Sequence, residues 1–345
     1  MTGRTLRLTS RIRRRTSPVK PGKGTTPKVV ALGGGMGLSA SLAALRRITN
    51  NLTAVVTVAD DGGSSGRLRD ELGVLPPGDL RKALAALCGD DDWGQTWSRV
   101  IQHRFQSKGE LHEHAVGNLL IVALWEQLGD HVQALDLVGK LLGAQGRVLP
   151  MSAVPLELQA QVKGHDATRP DDIETVRGQA TVALTRGEVQ SVHVVPHDPP
   201  AVPEAVAAVL DADWVVLGPG SWFSSVIPHL LVPELLDALV ETKARKVLSL
   251  NLAPQPGETE GFSPQRHLEV LGRHAPKLAL DVVLADEAAV PDRESLTETA
   301  RARFGAAVEL APVARPDGTP RHDPELLAAA YDRIFRMHGR IGPWR

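Results

Sequence analysis

Residues 28–66 read KVVALGGGMGLSASLAALRRITNNLTAVVTVADDGGSSG. The apolar run Val29-Val30-Ala31-Leu32 predicts a buried strand, and the β-branched run at 54–58 predicts a second. Between them Leu42, Leu45 and Ile48 fall on one helical face, with Ser39 as the expected N-cap. Strand, helix and strand in so short a span imply parallel pairing and a right-handed crossover. Strands that are apolar throughout imply a sheet covered on both faces. The glycines sit where the first strand must turn into the helix. From Gly35 to Ala40 the spacing is G-x-G-x-x-A, and Gly33, Gly34, Gly35 and Gly37, with Leu38 and Ser39, form a candidate phosphate loop. Glycines let the backbone approach a phosphate, and a helix start offers unpaired amides to it.

Outward from this unit, residues 80–145 read as a helical insert. Residues 153–195 alternate with period two, which predicts two or three antiparallel strands on a sheet edge. The α/β rhythm then resumes, with strands expected at 214–217, 247–250, 280–284 and 306–310 and helices at 233–242, 267–273 and 325–338. Parallel strands flank both inserts. The expectation is therefore one α/β domain over 28–338, a Rossmann-like parallel sheet in three αβα layers with a helical insert and a small antiparallel extension. Residues 1–27 read as a disordered basic tail and 339–345 as a short C-terminal tail.

Composition narrows the functional classes. Of 345 residues 42% are hydrophobic and 23% charged, enough apolar material for a large core. One cysteine excludes a disulfide framework and cysteine-rich zinc modules. Aromatics at 3% disfavour a base-stacking platform. Residues 1–28 hold nine Lys and Arg and no acid, so the net charge of −1 leaves −10 on the remainder. An acidic body does not attract nucleic acid by its field. No apolar run approaches the ~20 residues of a membrane span.

Five further segments carry candidate chemistry. After the second strand, Asp60 and Asp61 precede Gly62, Gly63, Ser64, Ser65, Gly66 and Arg67. Two carboxylates at a strand end suit Mg²⁺, while hydroxyls, loop amides and Arg67 suit an anion. Gly78, Asp79 and Arg81 open the next helix, where an Arg in the first turn favours a nearby anion. His114 and Asn118 share a helix face, with a structural bond and a ligand contact both open. Gly218, Pro219, Gly220 and Ser221, with Ser224, follow another apolar strand and suggest a second anion nest. Asn251 and Glu258 follow the next strand end. Asp60, Asp61 and Glu258 are the candidate catalytic acids.

These loops, in this order, resemble the bacterial gluconeogenesis factor family (YvcK-type) of the CofD-like superfamily, whose other branch includes the phospholactate transferase of coenzyme F420 synthesis. The similarity runs over about 28–338 and rests most on Val56 through Arg69, with Pro76-Pro77-Gly78-Asp79-Leu80-Arg81, Gly117-Asn118-Leu119-Leu120 and Gly257-Glu258-Thr259. Lys82 stands where the family usually has Asn, and Met36 where it usually has Thr. The resemblance implies a cytoplasmic nucleotide-binding regulator favouring UDP-sugars, with a role in central carbon use, cell shape and cell-wall synthesis. It also implies that the acids at Asp60 and Asp61 match a metal-assisted site in the transferase branch. Alternatives are a Mg²⁺-dependent phospholactate-type transferase and, from the glycine spacing alone, a NAD(P)-dependent dehydrogenase. A homodimer and a regulatory protein partner are further expectations, with no nucleic-acid partner.

Overall fold

A computed structural model describes residues 26–185 and 187–338. The basic segment 1–25 and the segment 339–345 lie outside the described residues. Seven strands form one parallel sheet: β1 (Lys28–Gly33), β2 (Asn51–Val56), β3 (Arg147–Pro150), β7 (Trp214–Leu217), β8 (Arg245–Ser249), β9 (Val282–Asp286) and β10 (Ala307–Ala311). Their spatial order is β10-β9-β8-β7-β1-β2-β3, with every pairing parallel. The central β1 pairs with β2 on one side and β7 on the other. The chain thus winds outward from β1 in one direction, then returns and winds outward in the other. That reversal sends the crossover helices to opposite faces. It also leaves a crevice above the carboxyl ends of β1 and β7.

On one face α1 (Gly35–Leu45) packs against α3 (Gly78–Leu87) and α12 (Pro324–His338). Helices α8 (Pro203–Leu210) and α9 (Pro233–Glu241) pack together, as do α10 (Pro264–His274) and α11 (Arg293–Phe304). The resulting core is continuous, and β7 is buried at every position. Helix α12 is tied to this core by a polar contact. The Tyr331 hydroxyl lies 2.9 Å from both Ser41 Oγ in α1 and Ser249 Oγ in β8, all three groups buried. Burial pushes the Tyr331 phenol up to about 12, so it stays protonated and can donate. Among the described residues no single helix is long and apolar enough to cross a membrane.

The expected helical insert is α3 with α4 (Asp92–Gln102), α5 (Val116–Leu128) and α6 (His131–Leu142). Three expectations change. The antiparallel strands β4 (Glu157–Lys163), β5 (Ile173–Arg177) and β6 (Glu188–Val195) form a separate sheet of order β5-β4-β6, while β3 takes the edge of the parallel sheet. Helix α1 begins at Gly35, so Ser39 is an interior residue whose hydroxyl donates to Gly35 O at 2.9 Å instead of capping. The Gly-Gly-Ser-Ser run is the first turn of helix α2 (Gly63–Leu72), closed by Gly73 in the left-handed region at φ 67°.

Tyr331→Phe strands the Ser41 and Ser249 hydroxyls without their buried partner. We expect a loss of about 1–3 kcal/mol, read as a lowered urea midpoint with an unchanged slope.

Candidate functional site

The two glycine loops at the reversal point touch. A Cβ placed on Gly37 would overlap the Pro219 carbonyl and lie 2.6 Å from Gly220 Cα. Only glycine lets the start of α1 lie this close to the β7 exit. Gly34 is equally confined, since a Cβ there would come 2.5 Å from Thr57 Cγ2 and 2.6 Å from Asp79 Oδ2. Above this contact opens a cavity of about 520 Å³ whose floor is Gly34, Gly35 and Gly37 on one side and Pro219, Gly220 and Ser221 on the other. Gly33 ends β1 beneath it, and Leu38 is buried in the core. Helix α1 has no side-chain cap and no acid in its first turn. Its first backbone donor to the chain itself is Leu38 N, to Gly34 O at 3.2 Å. Among the described residues the preceding helix-start amides have no partner, and such donors favour an anion.

The β7 exit loop is different from expectation. The amides of Gly218 and Gly220 are already taken. Gly218 N donates to Leu32 O, and Gly220 N donates to Asn251 Oδ1 at 3.0 Å while Asn251 Nδ2 returns a bond to Gly220 O at 2.8 Å. Gln255 Nε2 donates to Ser221 Oγ at 3.0 Å. In the π-helical turn Trp222–Val226, Phe223 N donates to Glu258 Oε2 at 3.0 Å and Ser224 Oγ to Glu258 Oε1 at 2.5 Å. This nest is therefore filled by the protein's own Glu258 carboxyl. Burial raises the Glu258 pKa, opposed by the bonds from Ser224, Phe223 and Trp222. Glu258 and Ser224 are 4% and 1% exposed and lie off the cavity, so their geometry is that of a brace.

The acidic loop also divides. Asp60 lines the cavity together with Asp79. Its Oδ1 accepts from Gly62 N at 3.0 Å, and its Oδ2 would lie 2.9 Å from a Cβ on Gly78. Burial first, then the Asp79 carboxylate, lifts Asp60 above the usual carboxylate range, against the Gly62 amide and Lys82. Lys82 Nζ pairs with Asp79 Oδ1 at 2.8 Å. Asp61 turns away: its Oδ1 accepts from Ala180 N at 2.8 Å, at the start of the short helix α7 (Gln179–Val182). Asp60 and Asp61 thus accept from different backbone amides. Among the described residues no three His, Cys, Asp or Glu side chains come together as a metal site.

Several motif residues meet one another away from the cavity. Ser64 Oγ lies 3.1 Å from His114 Nδ1 and accepts from Asn118 Nδ2 at 3.0 Å, all buried. Burial lowers the His114 pKa, which suits a neutral ring accepting from Ser64. Ser65 and Gly66 are buried at the start of α2, with Gly66 against the Asp61 carbonyl, while Gly63 is exposed there. Arg67 donates to Glu110 O and His112 O at 3.2 and 2.6 Å. Arg81 is buried beside Gly117, and burial lowers it to about 10.

The cavity wall includes residues not singled out in the sequence. Arg315 and Arg321 come from the loop between β10 and α12, which folds back through Arg315 N to Arg321 O at 2.9 Å. Asp286, at the end of β9, fixes that loop by accepting from Val313 N and Ala314 N at 2.8 and 3.0 Å. Both arginines are exposed and, among the described residues, have no ion-pair partner. His322 lies beside them, and burial brings it down to about 4, so it is neutral. Residues 252–256 and Gln179 complete the wall. The local signal for the arginines is weak, because Arg-Pro-Asp-Gly reads as an ordinary turn.

Comparison with known proteins agrees with this architecture. Residues 29–317 match the model of the family described as 2-phospho-L-lactate transferase CofD. Relatives that bear the gluconeogenesis factor name include one from Mycobacterium tuberculosis (strain CDC 1551 / Oshkosh), 54% identical over 312 residues and 90% of each chain. Another, from Listeria monocytogenes, is 38% identical over 272 residues, 78% of this chain and 80% of the relative. The crystal structure of a UPF0052 family member from Bacillus halodurans superposes with a TM-score of 0.78 at 32% identity, covering 88% of this chain and 98% of that one.

Asp60 supplies a test of site strain. A carboxyl whose pKa is raised on folding opposes folding once it ionises; the penalty is full above the folded pKa and absent below the unfolded one. Asp60→Asn should therefore raise stability by about 0.5–1 kcal/mol at neutral pH. The gain should fade as pH falls through the carboxylate range, followed by thermal melts from pH 7 to pH 3.

Proposed function

The chain belongs to the CofD family, and we propose that it is a nucleotide-sugar-binding regulatory protein, with UDP-sugars as its preferred ligands. The observation that carries this reading is the contact of Gly37 with Pro219 and Gly220 beneath a cavity of about 520 Å³. It sits at the sheet's reversal point, where open α/β sheets receive nucleotides. The uncapped start of α1 supplies amides for one phosphate. Arg315 and Arg321, unpaired among the described residues, supply two cations for a diphosphate. The segment Leu252 to Pro256 and Gln179 form the remaining walls, of mixed apolar and amide character, suited to a base or sugar ring. We place the protein in the cytoplasm and read its role, as in the relatives named gluconeogenesis factor, as adjusting central carbon use, with effects on cell shape and wall synthesis.

The transferase alternative is not favoured. Two of its three candidate acids, Asp61 and Glu258, are engaged with the protein's own backbone. No observation favours the dehydrogenase.

Calorimetry with UDP-glucose should give a Kd near the micromolar range, about −8 kcal/mol. Replacing both Arg315 and Arg321 by Ala should weaken it at least ~10-fold, since each lost charge-assisted bond is worth about 1.5–3 kcal/mol. Absence of binding across nucleoside diphosphate sugars, or binding indifferent to both arginines, would overturn the assignment.

A further inference from the structure

Lys82 is the cation nearest the acidic edge of the cavity. It stands three residues after Asp79 on α3, so helical geometry alone brings the two side chains together. The 2.8 Å bond to Asp79 Oδ1 is made by a carboxylate whose side chain is only 9% exposed, while the lysine remains 31% exposed at the cavity wall. Asp60 faces the same spot and feels both the Asp79 charge and the Lys82 charge. The third carboxylate of the segment, Asp61, is committed to Ala180 N. Two carboxylates and an ammonium therefore share this edge.

We infer that the Lys82 ammonium takes the place of a divalent cation between Asp60 and Asp79, so that the cavity accepts its diphosphate free of metal. A divalent ion here would need several oxygen ligands and would sit beside a fixed positive charge. With Lys82 present, the acidic edge is already partly neutralised, and the ligand's charge is met by Arg315, Arg321 and the α1 amides. This inference rests on the nucleotide reading above and narrows it. A diphosphate diester such as a nucleotide sugar carries two negative charges and matches the two arginines. A nucleoside triphosphate arrives as its Mg²⁺ complex and brings a cation for which this edge has no vacancy.

The test uses the full chain without ligand first. Mn²⁺ titration followed by electron paramagnetic resonance should show no site in the wild type at submillimolar Mn²⁺. Lys82→Asn and Lys82→Gln should each create one, and adding Asp60→Asn should remove it. Calorimetry with UDP-glucose should then give wild-type affinities in EDTA and in Mg²⁺ that agree within twofold, and affinities of the Lys82 variants at least tenfold weaker in EDTA than in Mg²⁺. An Asp60-dependent Mn²⁺ site in the wild type would overturn the inference, as would Lys82 variants that gain none or a wild type whose affinity collapses in EDTA. If UDP-glucose binds none of the proteins, the nucleotide reading fails, while the Mn²⁺ arm still decides the role of Lys82.

Discussion

Two backbone segments pressed together, the start of α1 at Gly37 and the β7 exit at Pro219 and Gly220, set the geometry on which the site depends. A side chain at Gly37 would force them apart. The contact exists because β1 and β7 are neighbours, although 180 residues separate their loops in the chain. Everything above it, from the depth of the cavity to the exposure of the α1 amides, follows from that close approach and from the uncapped helix start.

The charges around the cavity are arranged in two ways. Where the protein needs rigidity, it supplies its own hydrogen-bond acceptor: Glu258 occupies the nest of the Trp222–Val226 turn, and Asp286 clamps the arginine loop. Facing the cavity, groups are left open among the described residues: the first amides of α1 and the exposed Arg315 and Arg321. The Asp60, Asp79 and Lys82 cluster lies between these cases, with one bond made and one carboxylate held above its ordinary range. Such partly unsatisfied charge is what a binding site tends to cost a fold.

The Ser64, His114 and Asn118 cluster illustrates how one motif can serve the scaffold. His114 and Asn118, some fifty residues on from Ser64, both bond its hydroxyl where the start of α2 meets the start of α5. They hold the start of α2, and through it the Asp60 loop, in register with the helical insert.

Sequence alone determined the alternation of parallel strands and helices, because apolar strand runs and 3.6-residue periodicity are local signals. It also marked the strand-exit loops, since glycine runs after apolar strands have few other uses. Tertiary structure decided which polar groups in those loops remain free. Asp60 and Asp61 are adjacent in the chain yet point to different partners, and Glu258 satisfies amides more than thirty residues away. The same holds for Arg315 and Arg321, which reach the cavity only because β10 lies three strands beyond β7 and its loop folds back over the sheet's carboxyl edge. Hydrogen-bond satisfaction is a property of the packed chain, and no local pattern encodes it.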